Sequence, residues 1–172
     1  MVDVVDNWML DIETLGTGPT PRPLSIALVL FSLDRGVLHS EHYHIQQATA
    51  PGEVDADTAL WWMAQSEEAR QAVLDGQKKA IPFSSFSFGP CSGDVRLWAR
   101  GIDWFWMENL YRATGRPWPF KASQMRCMRF CDQICPAPPA KVKHNALHDC
   151  WAQIEHLRAA VRMVPGLDVV LQ

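Results

Sequence analysis

The stretch Met9 to Gly16, M-L-D-I-E-T-L-G, ends an apolar run with two carboxylates, Asp11 and Glu13, placed just ahead of a glycine. In an extended strand, residues i and i+2 share a face, so both acids look at one point in space. Like charges held that close resist joint ionisation unless a cation sits between them. Hard carboxylate oxygens at that separation suit Mg²⁺ or Mn²⁺. The pair alone is also compatible with solvated acids at a strand end. What decides between the two readings is whether other stretches bring partners.

Working outward, the chain has 172 residues, 48% of them hydrophobic. That is material for one domain with a full core, and a single domain over residues 1–172 is the expectation. The longest nearly apolar run, Leu24 to Leu33, contains two serines and is too short to span a bilayer, so no membrane partner is expected. The N-terminus, M-V-D-V-V-D, is acidic and lacks the features of a secretion signal, which predicts a cytoplasmic location. Five cysteines, an odd number, fit reduced thiols better than a disulfide framework. Net charge is −3, but its distribution is uneven. Residues 96–143 carry nine basic side chains against three acids, leaving seven basic and sixteen acidic residues elsewhere. Such a segment either binds phosphates locally or forms a solvated basic face.

Residues 4–10 read as a strand that delivers Asp11, followed by a Gly/Pro loop from Gly16 to Pro23. The aliphatic run 24–32 is a strand covered on both faces. Asp34-Arg35-Gly36 is a turn, and 37–46 completes a hairpin in which His39, His42 and His44 fit exposed strand positions. From Asp57 to Leu74 the period changes to a helical one, giving one helix or two meeting near Ser66. Trp61, Trp62 and Met63 crowd a narrow stripe, so either both tryptophans are core or one turns outward where a base could stack. Residues 76–93 show aromatics without periodicity. A short strand over 95–99 leads to Asp103, placed to cap a helix that stops at Gly115 with Met107, Leu110 and Tyr111 on one face. Residues 122–134 look helical, with Cys127, Cys131 and Cys135 along one buried side. The stiff connector Pro136–Pro139 precedes Lys143-His144, and a last helix over 145–164 carries Asp149 in its first turns and Leu147, Trp151, Ile154, Leu157 and Val161 toward the core.

Each acid has an ordinary explanation, yet together they form an ordered set: Asp-x-Glu, a later Asp at a strand-to-helix junction, and His-x₄-Asp entering the last helix. With these motifs, D-I-E-T-L-G at Asp11–Gly16, W-A-R-G-I-D at Trp98–Asp103 and H-N-A-L-H-D at His144–Asp149, the sequence resembles the DEDDh 3′-5′ exonucleases of the ribonuclease H-like superfamily. The resemblance covers about residues 7 to 160. Asp55 to Arg70 further resembles small phage and bacterial exonucleases related to exodeoxyribonuclease VIII.

The resemblance implies an α/β fold with a mixed central β-sheet flanked by helices on both faces. It implies two divalent cations, Mg²⁺ or Mn²⁺, held by Asp11, Glu13, Asp103 and Asp149, with His144 taking a proton from the attacking water. It also points to substrate contacts from Thr14, Leu15, Trp62, Arg100, Arg126, Arg129, Lys143 and Asn145. The implied activity is removal of 5′-mononucleotides from the 3′ end of single-stranded DNA or RNA. Two alternatives are a non-catalytic nucleic-acid-binding module and a phosphodiesterase for very short oligonucleotides. Relatives commonly read G-x-x-F-D before the third acid, whereas Gly101 precedes Asp103 by two residues here, and the usual R-D-x-R-T appears as Arg126-Cys127-Met128-Arg129. DNA and RNA are both compatible with these residues, as are a monomer and a homodimer.

Overall fold

In the computed structural model of the chain, which describes residues 6–89 and 95–171, the Asp-x-Glu stretch is central in space as well. It lies in β1 (Asp6–Thr14), the middle strand of a five-stranded sheet completed by β2 (Pro23–Ser32), β3 (Gly36–His44), β4 (Val95–Ala99) and β5 (Met125–Cys127). The order is β3-β2-β1-β4-β5. β1 runs antiparallel to β2 and parallel to β4. Strand alternation sorts the core into two layers. Leu10 and Ile12 pack with Phe83, Phe86, Leu97, Met107 and Leu110, on the side of α3 (Asp103–Ala113). Met9 packs with Trp98, Cys150, Ile154 and Leu157, on the side of α4 (Ala146–Met163). β2 contributes to both, Leu28 to the first and Val29 to the second, as an apolar run without alternation requires. Each large side chain removed from water in this way contributes about 1.5–3 kcal/mol. Helices thus cover both faces of a mixed sheet.

β1 continues through Asp11 and Glu13 to Thr14, four residues beyond the strand end read from the sequence. Its pairing register with β2 shifts between Glu13 and Thr14. The helical stretch after Asp55 is two helices, α1 (Ala56–Met63) and α2 (Glu67–Gln77), and Ser66 caps the second by accepting from the Ala69 N–H at 3.2 Å. A short α5 (Leu167–Leu171) ends the described chain.

Four expectations are corrected. Residues 122–134 form no α-helix: a 3₁₀ turn (Ala122–Gln124) leads into β5, and a second 3₁₀ segment (Met128–Gln133) follows. Met125–Cys127 pairs in parallel with Leu97–Ala99, a non-local contact to which a four-residue cysteine spacing gives no clue. Cys131 and Cys135 are buried as expected, but Cys127 is exposed. His42 and His44 are not open strand positions. Their rings lie 4.3 Å apart, and α2 covers His44 so closely that a Cβ on Gly76 would meet the imidazole at 2.0 Å. Burial lowers the His42 pKa to about 4, so the ring is neutral. Trp151 sits at the rim of α4, its indole donating to Ser40 Oγ at 3.1 Å, instead of in the core. Residues 76–89 hold a single 3₁₀ turn (Phe83–Ser85) that plugs Phe83 and Phe86 into the first layer, which explains aromatics without a period. The remainder of that stretch, residues 90–93, lies outside the described residues.

Candidate active site

The strand, both helix starts and one loop converge at the end of the sheet where β1 stops. On β1 the side chains of Met9, Asp11 and Glu13 alternate toward α4. Asp11 is 9% exposed, and its Oδ1 accepts a hydrogen bond from Gln153 Nε2 at 2.7 Å. α3 begins at Asp103 itself, with Ile102 in the cap position and no side-chain cap. The capping task expected of Asp103 is therefore absent. Its carboxyl is buried to the same degree as that of Asp11. Ahead of it, Gly101 turns the chain at φ +95°, and a Cβ there would meet the Arg129 guanidinium at 2.9 Å.

α4 opens with Asn145, whose side chain accepts from the His148 N–H at 3.3 Å, and this start puts Asp149 in the first turn. His144, just before the cap, has φ +59°, a left-handed backbone that non-glycine residues seldom adopt and that clusters at functional positions. Its ring meets the edge of Trp61 at a centroid distance of 4.7 Å. Ligand-capable atoms of Glu13, His144 and Asp149 all lie within 4.8 Å of one another.

Electrostatics set this group apart. Burial, and then the Asp149 charge, push the Asp11 pKa from 3.8 up to about 7. Burial followed by the other three carboxylates holds Glu13 well above its ordinary range. Asp103 is raised by burial and by Asp11, against the opposing pull of Arg129. Asp149 is raised by burial, with His144 pulling the other way. Four acids that ionise only against mutual repulsion, all oxygen donors, with an imidazole at the edge, fit the requirements of hard divalent cations.

Two clefts meet at this point. The first, about 720 Å³, is lined by Asp11, Glu13, Asp103, His144 and Asp149 together with Arg100, Lys143, Gln153 and the connector Ala137–Ala140. The second, about 760 Å³, is lined by Thr14, Thr17, Asp55, Thr58, Trp61, Trp62 and Trp106 among others. Ile12 and Glu13 border both. The floor of the second is tied together through backbone atoms. Asp55 caps α1 by accepting from Thr58 N at 2.6 Å, and it also accepts from Thr17 N at 2.9 Å. The Asp55 N–H donates to the Leu15 carbonyl at 2.9 Å. Gly16 passes so near that a Cβ would meet the Glu53 carbonyl oxygen at 2.9 Å.

The residues expected to touch substrate divide unevenly. Thr14 is buried, donating to the Gly16 carbonyl at 2.7 Å, and Leu15 is half-buried beside it. Trp62 is not the stacking platform: it is 7% exposed, and its indole donates to the Thr14 carbonyl at 2.8 Å. Trp61 has the open face, at 44% exposure. Successive helical residues point about 100° apart, and the choice between them depends on where α1 docks. Arg100 reaches the first cleft, but its Nη2 donates to both carboxylate oxygens of Asp132 at 2.7 Å. Arg126 donates to the carbonyls of Ser123 and Met125 and, like Arg129, does not line either cleft. Lys143 lines the first cleft, and Asn145 serves as a cap. Gln153 carries no motif or charge that marks it in the sequence. Gln153 follows Asp149 by four residues, a helical spacing that places both on one face.

Similar folds occur among solved nucleases. Exonuclease I of E. coli, in complex with a dT13 oligonucleotide, superposes with a TM-score of 0.61 at 16% identity over 97% of this chain. The chain spans 43% of that protein's length. The nuclease domain of 3′hExo, a DEDDh family member bound to rAMP, gives a TM-score of 0.53 at 10% identity, with 94% of each chain covered. Cell-death related nuclease 4 gives 0.53 at 11% identity, covering 92% of this chain and 64% of its own. At these identities the likeness concerns the fold, that of ribonuclease H-like DEDDh exonucleases. No curated protein sequence matches the chain. The narrower likeness to exodeoxyribonuclease VIII rests on Asp55 to Arg70 alone. The description "3′-5′ exoribonuclease Rv2179c-like domain" matches residues 6–161, and the chain belongs to that family.

Proposed function

We propose that the chain is a metal-dependent 3′-5′ exonuclease that shortens single-stranded RNA from its 3′ end and releases 5′-mononucleotides. The observation that carries this reading is the meeting of Asp11, Glu13, Asp103, His144 and Asp149 at one cleft, from stretches of sequence far apart. Divalent cations held by the four carboxylates, Mg²⁺ or Mn²⁺, would activate water and stabilise the leaving oxygen. The rest is the work of the chain. The four carboxylates hold negative charge in a fixed, mostly buried arrangement, so little reorganisation is needed when substrate arrives. His144, near Asp149 and braced by Trp61, accepts the proton of the attacking water. Lys143 at the cleft wall offsets phosphate charge. The exposed ring of Trp61 offers the terminal base a stacking face next to Glu13. RNA is assigned over DNA because the family matched is one of exoribonuclease domains.

The test is digestion of 5′-labelled single-stranded RNA and DNA of equal sequence with Mg²⁺ or Mn²⁺, beside His144→Ala. The reading expects a ladder shortening from the 3′ end, faster on RNA, with nucleoside 5′-monophosphate as product, and its loss in the variant. Internal cleavage, or an undiminished rate in His144→Ala, would overturn it.

A further inference from the structure

Gln153 is the buried polar residue that the account above leaves without a task. It is 8% exposed, lies on α4 one turn beyond Asp149, and lines the first cleft. Its Nε2 donates to Asp11 Oδ1 at 2.7 Å. Its Oε1 is buried and has no hydrogen-bond partner among the described residues. An amide that only had to fill space between α4 and β1 would be replaced at no loss by a leucine or methionine. Buried polar atoms persist where something satisfies them, and half of this amide is satisfied by a carboxylate while its buried oxygen is left unpartnered in a residue that lines the cleft.

We propose that Gln153 is a positioning residue for the cation-holding carboxylates, fixing Asp11 through one oxygen and offering Oε1 to water that accompanies a cation. The inference rests on the metal-dependent reading of the same cleft. The side chain type follows from the chemistry. A neutral amide can donate to Asp11 and accept from water at once, whereas a carboxylate there would add a fifth acid to the cluster and a lysine would compete with the cation. Fixing Asp11 before a cation arrives removes a rotamer search from binding, the role that outer partners of metal ligands generally fill. The helical spacing couples the two carboxylates mechanically. Asp149 and Gln153 sit on one face of α4, so Gln153 registers the α4 acid against the β1 acid across the layer.

The experiment is Mn²⁺ titration by calorimetry, together with thermal melts in chelator, on the wild type, Gln153→Leu and Gln153→Met. The expected result is Mn²⁺ affinity weakened by roughly 10–100-fold in both variants. Melting temperatures in chelator should change little, because the hydrogen bond lost by Asp11 is offset by an apolar side chain replacing a half-satisfied buried amide. Equal Mn²⁺ affinity in either folded variant overturns the inference and leaves the functional reading standing. A lowered melting temperature with unchanged affinity overturns it in favour of a packing role. If the wild type itself takes up no Mn²⁺, the metal-dependent reading falls and this inference falls with it.

Discussion

Asp11 and Asp55 are both aspartates within a few residues of Glu13's two clefts, and their surroundings are opposite. Asp55 is half-buried, and hydrogen bonds from the Thr58 side chain, the Thr58 N–H and then the Thr17 N–H hold its pKa below the ordinary value. Asp11 is buried, accepts one amide, and faces other carboxyls that push its pKa up. A satisfied acid organises backbone; a frustrated acid waits for a charge to arrive. Asp55 ties backbone together beneath the tryptophan cleft, whereas Asp11 stands among other carboxyls in the carboxylate cleft. Glu13, bordering both, is the point at which the two can be separated by experiment.

The largest effect belongs there. Glu13→Gln keeps the shape but removes a charge, and hydrolysis of labelled RNA should fall by at least about 10²–10³-fold, the usual loss for one electrostatic contributor. Its melting temperature in chelator should not fall. Next in size, Trp62→Ala should cost about 3–5 kcal/mol in urea unfolding, as deletion of a buried aromatic does. Trp61→Ala should leave unfolding within about 0.5 kcal/mol while raising KM, since its ring is open to solvent. Equal destabilisation by the two would erase the distinction drawn between these neighbours.

A pH series in chelator sharpens the contrast further. The folded Asp11 keeps its proton up to about pH 7, whereas the unfolded group releases it near 3.8. Its contribution is therefore present at low pH and is lost as pH rises through that window. His42 acts in the opposite sense, because its folded pKa is lowered from 6.5 to about 4 and stability is gained as pH rises between those values. The difference in unfolding free energy between Asp11→Asn and the wild type cancels the histidine. It should move in favour of the variant from about pH 4 to 7 and then level off. A flat difference would show that Asp11 is not frustrated. Asp55→Ala should lose about 1 kcal/mol of stability for a missing N-cap, with activity reduced far less than in Glu13→Gln.

Much of this was legible in the chain itself, and where it was not the reasons are physical. β1, the hairpin at Asp34-Arg35-Gly36, the stop at Gly115 and the start of α4 rest on local signals: alternation, turn residues and caps. Asp103 stands at the strand-to-helix junction that the sequence marks, where an aspartate reads as a cap by default; the backbone puts it one position later, free for the cleft. Residues 122–134 misled because a cysteine at every fourth position imitates a helix. The real determinant is a three-residue parallel pairing with β4. The choice between Trp61 and Trp62 depends on the docking angle of α1, which no local pattern encodes. Gln153 is hidden in the sequence because an amide carries no charge to flag it, although its spacing from Asp149 is in plain view.

The most direct measurement is digestion of a 5′-labelled single-stranded RNA in Mn²⁺ by the wild type and by Asp11→Asn, after circular dichroism and melting have shown the variant folded. The account predicts stepwise shortening from the 3′ end by the wild type and none by the variant. Stepwise shortening at the same rate in Asp11→Asn would contradict it.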